Sequence, residues 1–144
     1  HISVENLNMA KDGKPAGIPG FTTPEEIVSW VKSLGSDWFK ICVDTGHSAI
    51  TGIEPEDMIS GVGNSMLAAL HIHDNDRLRD GHLLPFEGKL NWENITSALR
   101  KIEYKGDFTL EAINFFQGVP DELVLPSLRY AEQTGRYLIS KITE

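Results

Sequence analysis

Four short apolar runs recur along the chain, and each ends on an acidic residue or a histidine. Ile2-Ser3-Val4 ends in Glu5, Phe39-Lys40-Ile41-Cys42-Val43 in Asp44, Leu67-Ala68-Ala69-Leu70 in His71, and Phe108-Thr109-Leu110 in Glu111. The runs lack strict apolar–polar alternation, as strands buried on both faces of a parallel sheet do. Between them the period changes to that of a helix. Thr23 can cap a first helix, with Pro24 in its first turn and Glu26 completing a capping box. Ile27, Trp30, Val31 and Leu34 then form its apolar stripe, and Gly35 stops it. A second helix starts at Pro55-Glu56-Asp57-Met58-Ile59, but Gly61 and Gly63 are expected to break it early. Asn91 caps a third, with Ile95, Ala98, Leu99 and Ile102 as its stripe. The last is predicted from near Pro126 to about Ile142, with Leu128, Ala131 and Leu138 facing inward. Asn8 to Phe21, which holds Gly13, Pro15, Gly17, Pro19 and Gly20, reads as a long loop directly after Glu5. Such a loop is either a lid over a site or plain surface.

The order is therefore β, α repeated four times, an α/β chain with parallel strands joined by crossover helices. The 144 residues suffice for one domain with its own core. An eight-stranded β/α barrel takes about 250 residues, so four β/α units make half of one. Half a barrel leaves two strand edges open. We expect the chain to form a homodimer through those edges or to belong to a longer protein. It opens at His1-Ile2 inside a strand, without a Met, which points to truncation. Residues 1–144 then form a single half-barrel domain.

Composition changes this picture little. The hydrophobic share of 40% and charged share of 24% are those of a soluble globular protein. The net charge of -8, from 21 acidic and 13 basic residues, argues against a dominant nucleic-acid or anionic-membrane partner. A local basic patch stays open. Cys42 is the single cysteine and can form no internal disulfide, which points to a reducing compartment, the cytoplasm. No apolar stretch approaches the roughly 18 residues of a membrane span, and no signal-peptide pattern opens the chain.

The run ends carry the chemistry. Parallel strands joined by crossovers point their C-terminal ends the same way, so Glu5, Asp44, His71 and Glu111 converge on one face. Three hard oxygen ligands and one imidazole suit Mn, Co, Mg, Fe or Zn. Each residue alone would be read as a polar cap on the following helix; their recurrence at four strand ends favours a metal. His47 follows Asp44 at Asp-x-x-His spacing and either enters the same cavity or caps a turn. His73 shares a strand face with His71 and is read as a supporting partner or a core histidine. Arg77 either lays its planar fork over substrate oxygens or lies at the surface. Asp80-Gly81-His82 offers ligands for a second metal, or a hydrogen-bonded loop pair.

The strings Ser-Val-Glu-Asn, Val-Asp-Thr-Gly-His, His-Ile-His-Asp-Asn-Asp-Arg, Asp-Gly-His-Leu-Leu-Pro-Phe-Glu-Gly and Thr-Leu-Glu-Ala resemble the xylose isomerase-like barrel superfamily. That group holds sugar isomerases, ketose epimerases and endonuclease IV (the family 2 AP endonucleases). The resemblance covers essentially the whole chain, as the C-terminal half of the TIM barrel. In the epimerase branch it implies one divalent metal, Mn, Co, Mg or Zn, on Glu5, Asp44, His71 and Glu111. Glu5 and Glu111 would also be the catalytic acid and base, and His47 and Arg77 would hold a sugar substrate. In the endonuclease IV branch it implies several zinc ions, with His47, Asp80 and His82 as additional ligands and abasic DNA as substrate. Two further histidines of that cluster belong to the N-terminal half of the barrel. The loop from His71 to Asp80 is shorter than in endonuclease IV, and Phe86 stands where the usual Pro-Gly-x-Gly turn has glycine. The charge of -8 favours the sugar isomerase or epimerase over the nuclease. An inactive metal-binding fragment is the third reading.

Overall fold

The computed structural model describes residues 1–11 and 14–143. Four parallel strands, β1 (Ile2–Glu5), β4 (Phe39–Asp44), β5 (Leu67–Ile72) and β6 (Thr109–Leu110), form one sheet in the order β1-β4-β5-β6. Sequential order in a parallel sheet is what right-handed β/α units produce. The register sets Glu5 beside Cys42 and Asp44 beside His71. His71 pairs with Thr109, which leaves Glu111 just beyond the last strand. The expected convergence of the four run ends therefore follows from the pairing itself.

Helices cover the sheet. Helix α1 (Pro24–Ser33) begins with the expected capping box between Thr23 and Glu26. Ile27 and Val31 enter the core, whereas Trp30 and Leu34 stay partly exposed, so the stripe is narrower than its spacing suggested. Helix α3 (Pro55–Val62) runs through Gly61 and ends at Gly63. Gly61 does not break the helix, and a side chain there would lie 2.6 Å from the Pro24 ring. It is the residue that lets α1 and α3 approach. Helix α4 (Trp92–Lys101) starts at Asn91, whose side chain accepts from the Asn94 N–H as expected. Ile27, Ile41, Met58, Ile72, Ile95 and Leu99 are each fully buried. Each such side chain contributes about 1.5–3 kcal/mol.

Three expectations need correction. The segment after Glu5 is not a plain loop: β2 (Asn8–Lys11) and β3 (Lys14–Gly17) form an antiparallel hairpin. Gly13 lies outside the described residues. A short helix, α2 (Thr45–Ile50), follows β4 without a linker and was not expected. The last helix, α5, spans Asp121–Thr143 with Pro126 inside it. The acidic pair Asp121-Glu122 suits its N-terminus. Ala131 and Leu138 face inward as expected, but Leu128 is 48% exposed. Among the described residues, no helix is long and apolar enough to cross a membrane.

Candidate metal centre

Asp44 ends β4 and caps α2, and it is wholly buried. Its Oδ1 accepts the His47 N–H at 2.7 Å. Among the described residues its Oδ2 has no hydrogen-bond partner. Asn6 fixes the backbone beneath: its amide donates to Asp44 O and Ser48 Oγ, and its carbonyl accepts the Asp44 N–H. Burial alone would raise the Asp44 pKa, but His73 and His47 hold it below the usual carboxylate range.

His71 lies between two glutamates. Its Nδ1 is 3.3 Å from Glu5 Oε2, 3.2 Å from Glu111 Oε2 and 3.9 Å from Asp44 Oδ2. Despite these contacts, His71 Nδ1 makes no aligned hydrogen bond. Atoms that share one ion at about 2.1 Å stand roughly 3–4 Å apart. An orphaned buried carboxylate oxygen and an orphaned imidazole nitrogen at these separations fit a divalent cation. Glu5, Asp44, His71 and Glu111 would hold it. Glu111 is held above the ordinary carboxylate range by burial and by the Asp44 charge. Cys42 lies close by, its Sγ within 4.8 Å of ligand atoms of Glu5 and His71. Burial, then the charges of Glu5, Asp44 and Glu111, push its thiol to about 12.

Beside this set lies a second cluster. The ligand atoms of His47, His73, Asp80 and His82 fall within 4.8 Å of one another. His47 Nδ1 lies 3.0 Å from Asn6 O and 3.0 Å from Glu5 Oε1, and its Nε2 is 3.2 Å from Asp80 Oδ2. Burial lowers the His47 pKa, but Asp80, Glu5 and Asp44 outweigh it and hold the ring at about 11. His82 Nδ1 reaches Glu111 O at 2.9 Å, which leaves Nε2 towards Asp80 Oδ1 at 3.4 Å. Nδ1 anchored on a carbonyl with Nε2 turned to the site is the arrangement of ligating histidines. The structure thus brings His47, Asp80 and His82 together with the four strand-end residues.

Arg77 is placed differently. Its guanidinium grips Glu54 in a two-pronged pair, at 2.6 and 2.7 Å. Its backbone is left-handed, with φ of 66°. Sequence reasoning had no signal for Glu54, which lies on the loop before α3.

Two structural residues also escaped it. Asp74 is wholly buried and accepts four hydrogen bonds, from Asn75 N, Phe86 N, Leu90 N and Trp92 Nε1. It thereby closes the loop that carries Asp80 and His82. Gly88 sits against it, since a Cβ there would lie 2.2 Å from Asp74 Oδ1. Asn6 is the second. An acid in an Asp-Asn-Asp string looks like a loop residue, and only the fold reveals its burial.

Comparison with known proteins agrees with the fold. A 36% identity over 89 residues links the chain to a D-psicose 3-epimerase of Enterocloster bolteae, covering 62% of this chain and 28% of that protein. An uncharacterised protein of Methanocaldococcus jannaschii is 30% identical over 111 residues, 76% of this chain and 37% of its own. Among solved structures, a D-psicose 3-epimerase with D-tagatose from Clostridium cellulolyticum H10 superposes with a TM-score of 0.69 at 21% identity. It covers 94% of this chain and 48% of that one. A xylose isomerase domain protein from Alicyclobacillus acidocaldarius gives 0.71 at 17% identity, covering 99% and 51%. The chain thus spans about half the length of these structures. The model of the xylose isomerase-like TIM barrel matches residues 1–133. The chain belongs to the xylose isomerase-like TIM barrel family.

Proposed function

We propose that this chain carries the cation-binding and proton-transfer half of a divalent-metal-dependent sugar isomerase or epimerase. The observation that carries the reading is His71 Nδ1 flanked by Glu5 and Glu111 at 3.3 and 3.2 Å, beside the orphaned Asp44 Oδ2. The named relatives that act on sugars, the psicose 3-epimerases, support the substrate class. A divalent ion bound here supplies Lewis acidity towards a carbonyl and its neighbouring hydroxyl. One of Glu5 and Glu111 removes the proton from the carbon next to the sugar carbonyl, which leaves an ene-diolate. The other returns a proton to the opposite face and inverts that carbon. Burial and the neighbouring Asp44 charge raise the Glu111 pKa, the direction that makes a carboxylate a stronger base. His47 orients sugar oxygens from beside Glu5. Arg77 can join it through those guanidinium N–H groups that Glu54 leaves open.

Solvent deuterium incorporation into a panel of ketoses and ketose phosphates tests the reading. Exchange that disappears in Glu111→Gln supports it. A protein that exchanges no sugar and cleaves abasic DNA overturns it. The cluster of His47, His73, Asp80 and His82 favours a second reading, a zinc phosphodiesterase. Three zinc ions per full-length chain, one that also carries the N-terminal half of the barrel, with abasic-DNA cleavage would establish that one. Metal uptake with neither activity leaves a metal-binding fragment. We also propose a reducing, cytoplasmic location, in keeping with the free buried Cys42, and pairing of open sheet edges with a second copy. A stable 16.0 kDa monomer in sedimentation counts against that pairing.

A further inference from the structure

His73 is fully buried beside Asp44, and the proposed reaction gives it no role. Its Nε2 lies 3.0 Å from Asp44 Oδ1 and finds no other close partner than Asp80 Oδ1 at 3.8 Å. The Asp44 contact is an ion-pair approach rather than an aligned hydrogen bond. The surroundings are built to seat this ring. Gly46 faces it so closely that a Cβ would lie 1.8 Å from His73 Cε1. His82 stacks on it at 4.0 Å with an interplanar angle of 15°. Thr45 Oγ1 accepts the His73 N–H at 3.2 Å and donates to His73 O at 2.9 Å, tying the end of β5 to the start of α2.

Asp44 Oδ1 therefore has two neighbours, the His47 backbone N–H and the His73 ring. Oδ2 has none. We infer that His73 is the positioning residue of the metal centre, holding Asp44 so that it offers the cation one oxygen, Oδ2. Without the ring, only the His47 N–H still holds Oδ1, and the carboxylate can turn to present both oxygens, which changes the coordination number. The inference rests on the metal-centre reading of Glu5, Asp44, His71 and Glu111. It goes beyond that reading by assigning a residue that touches neither cation nor substrate.

The test titrates Co(II) into the metal-free protein, with affinity read by calorimetry and geometry by the visible spectrum of the bound ion. His73→Phe keeps a ring to stack on His82 but loses the polar contact. It is expected to bind Co(II) roughly 10–100-fold more weakly, with a changed visible band and an unchanged far-ultraviolet dichroism spectrum. His73→Gln, whose amide can donate to the same oxygen, should recover most of the affinity and the original band. If His73→Phe binds with wild-type affinity and an unchanged band, the positioning role is overturned. Pulsed electron paramagnetic resonance of the Mn(II) form adds an independent readout. Loss of a histidine nitrogen from the ion's shell in His73→Phe would make His73 a ligand and equally overturn the inference. A wild-type protein that takes up neither cation refutes the metal centre itself.

Discussion

Replacing Asp74 by Asn tests the best-satisfied buried carboxylate among the described residues with a change of one atom. Asp74 Oδ1 accepts from Asn75 N at 2.8 Å and Leu90 N at 3.1 Å, while Oδ2 accepts from Phe86 N at 3.1 Å and Trp92 Nε1 at 2.8 Å. An asparagine amide has one acceptor oxygen. Whichever way it turns, its NH2 group faces two N–H donors, and those two lose their acceptor. Each unsatisfied buried donor costs about 1–3 kcal/mol, so Asp74→Asn should cost about 2–6 kcal/mol. That is a large share of the roughly 5–15 kcal/mol that holds a domain folded. Denaturant unfolding followed by tryptophan fluorescence and by dichroism gives the value. Trp92→Phe removes one donor and keeps an aromatic ring, and should cost about 1 kcal/mol for its hydrogen bond plus some lost packing. In the Trp92→Phe background, Asp74→Asn should cost less than in the wild type, by about 0.5–3 kcal/mol of coupling. A stability change for Asp74→Asn within about 0.5 kcal/mol of zero, the size of a neutral surface change, would refute the account of the loop.

Three further outcomes follow from the packing. Gly61→Ala places a methyl 2.6 Å from the Pro24 ring, forces α1 and α3 apart, and should cost about 1–3 kcal/mol by thermal unfolding; a neutral result would mean the helices part freely. Cys42 is buried with its thiol pushed to about 12, so a thiol-specific reagent at neutral pH should label it only after denaturant is added. Fast labelling of the native protein would contradict its place between the sheet and the site. Tyr104 donates to Asp107 O, and burial followed by the Asp107 charge raises its phenol from 10.0 to about 12. A raised folded value means that this contribution to stability is whole below pH 10 and is lost as pH climbs towards 12. The phenolate absorbance step removed by Tyr104→Phe should therefore fall near 12 rather than 10.

The parts of the fold visible in the sequence are those governed by local chemistry. Thr23 and Glu26 make their capping box, Asn91 caps α4, and the four apolar runs become the four strands of the sheet. The parts that escaped depend on distant partners. Helix α2 has all of Thr45–Ile50 buried, so Thr-Gly-His-Ser shows no polar face for a periodicity to reveal. Gly61 reads as a breaker until the Pro24 ring opposite is known. The hairpin of β2 and β3 contains Gly and Pro in numbers that suggest a loop, because two short antiparallel strands need little apolar alternation. The four strand-end residues of the candidate centre were visible because a parallel sheet converts recurrence along the chain into proximity. The engagement of Arg77 by Glu54 was not, since the two are far apart in sequence and share no pattern.

The sheet order divides labour within the centre. Asp44 ends and His71 lies one residue before the end of the two inner strands, each paired on both sides, whereas Glu5 ends the outer strand β1 and Glu111 follows the outer strand β6. Inner strands resist local opening, and outer strands fray first. Of the four residues proposed to hold a cation, Asp44 and His71 thus stand on strands paired on both sides, and Glu5 and Glu111, proposed also to pass protons, stand at strands paired on one side here. Residence time of an ion in the proposed centre would then be a question of strand fraying. Amide exchange at Val4 and Glu5 in β1 should keep pace with metal release, and whatever zips up that outer edge sets how long the cation stays.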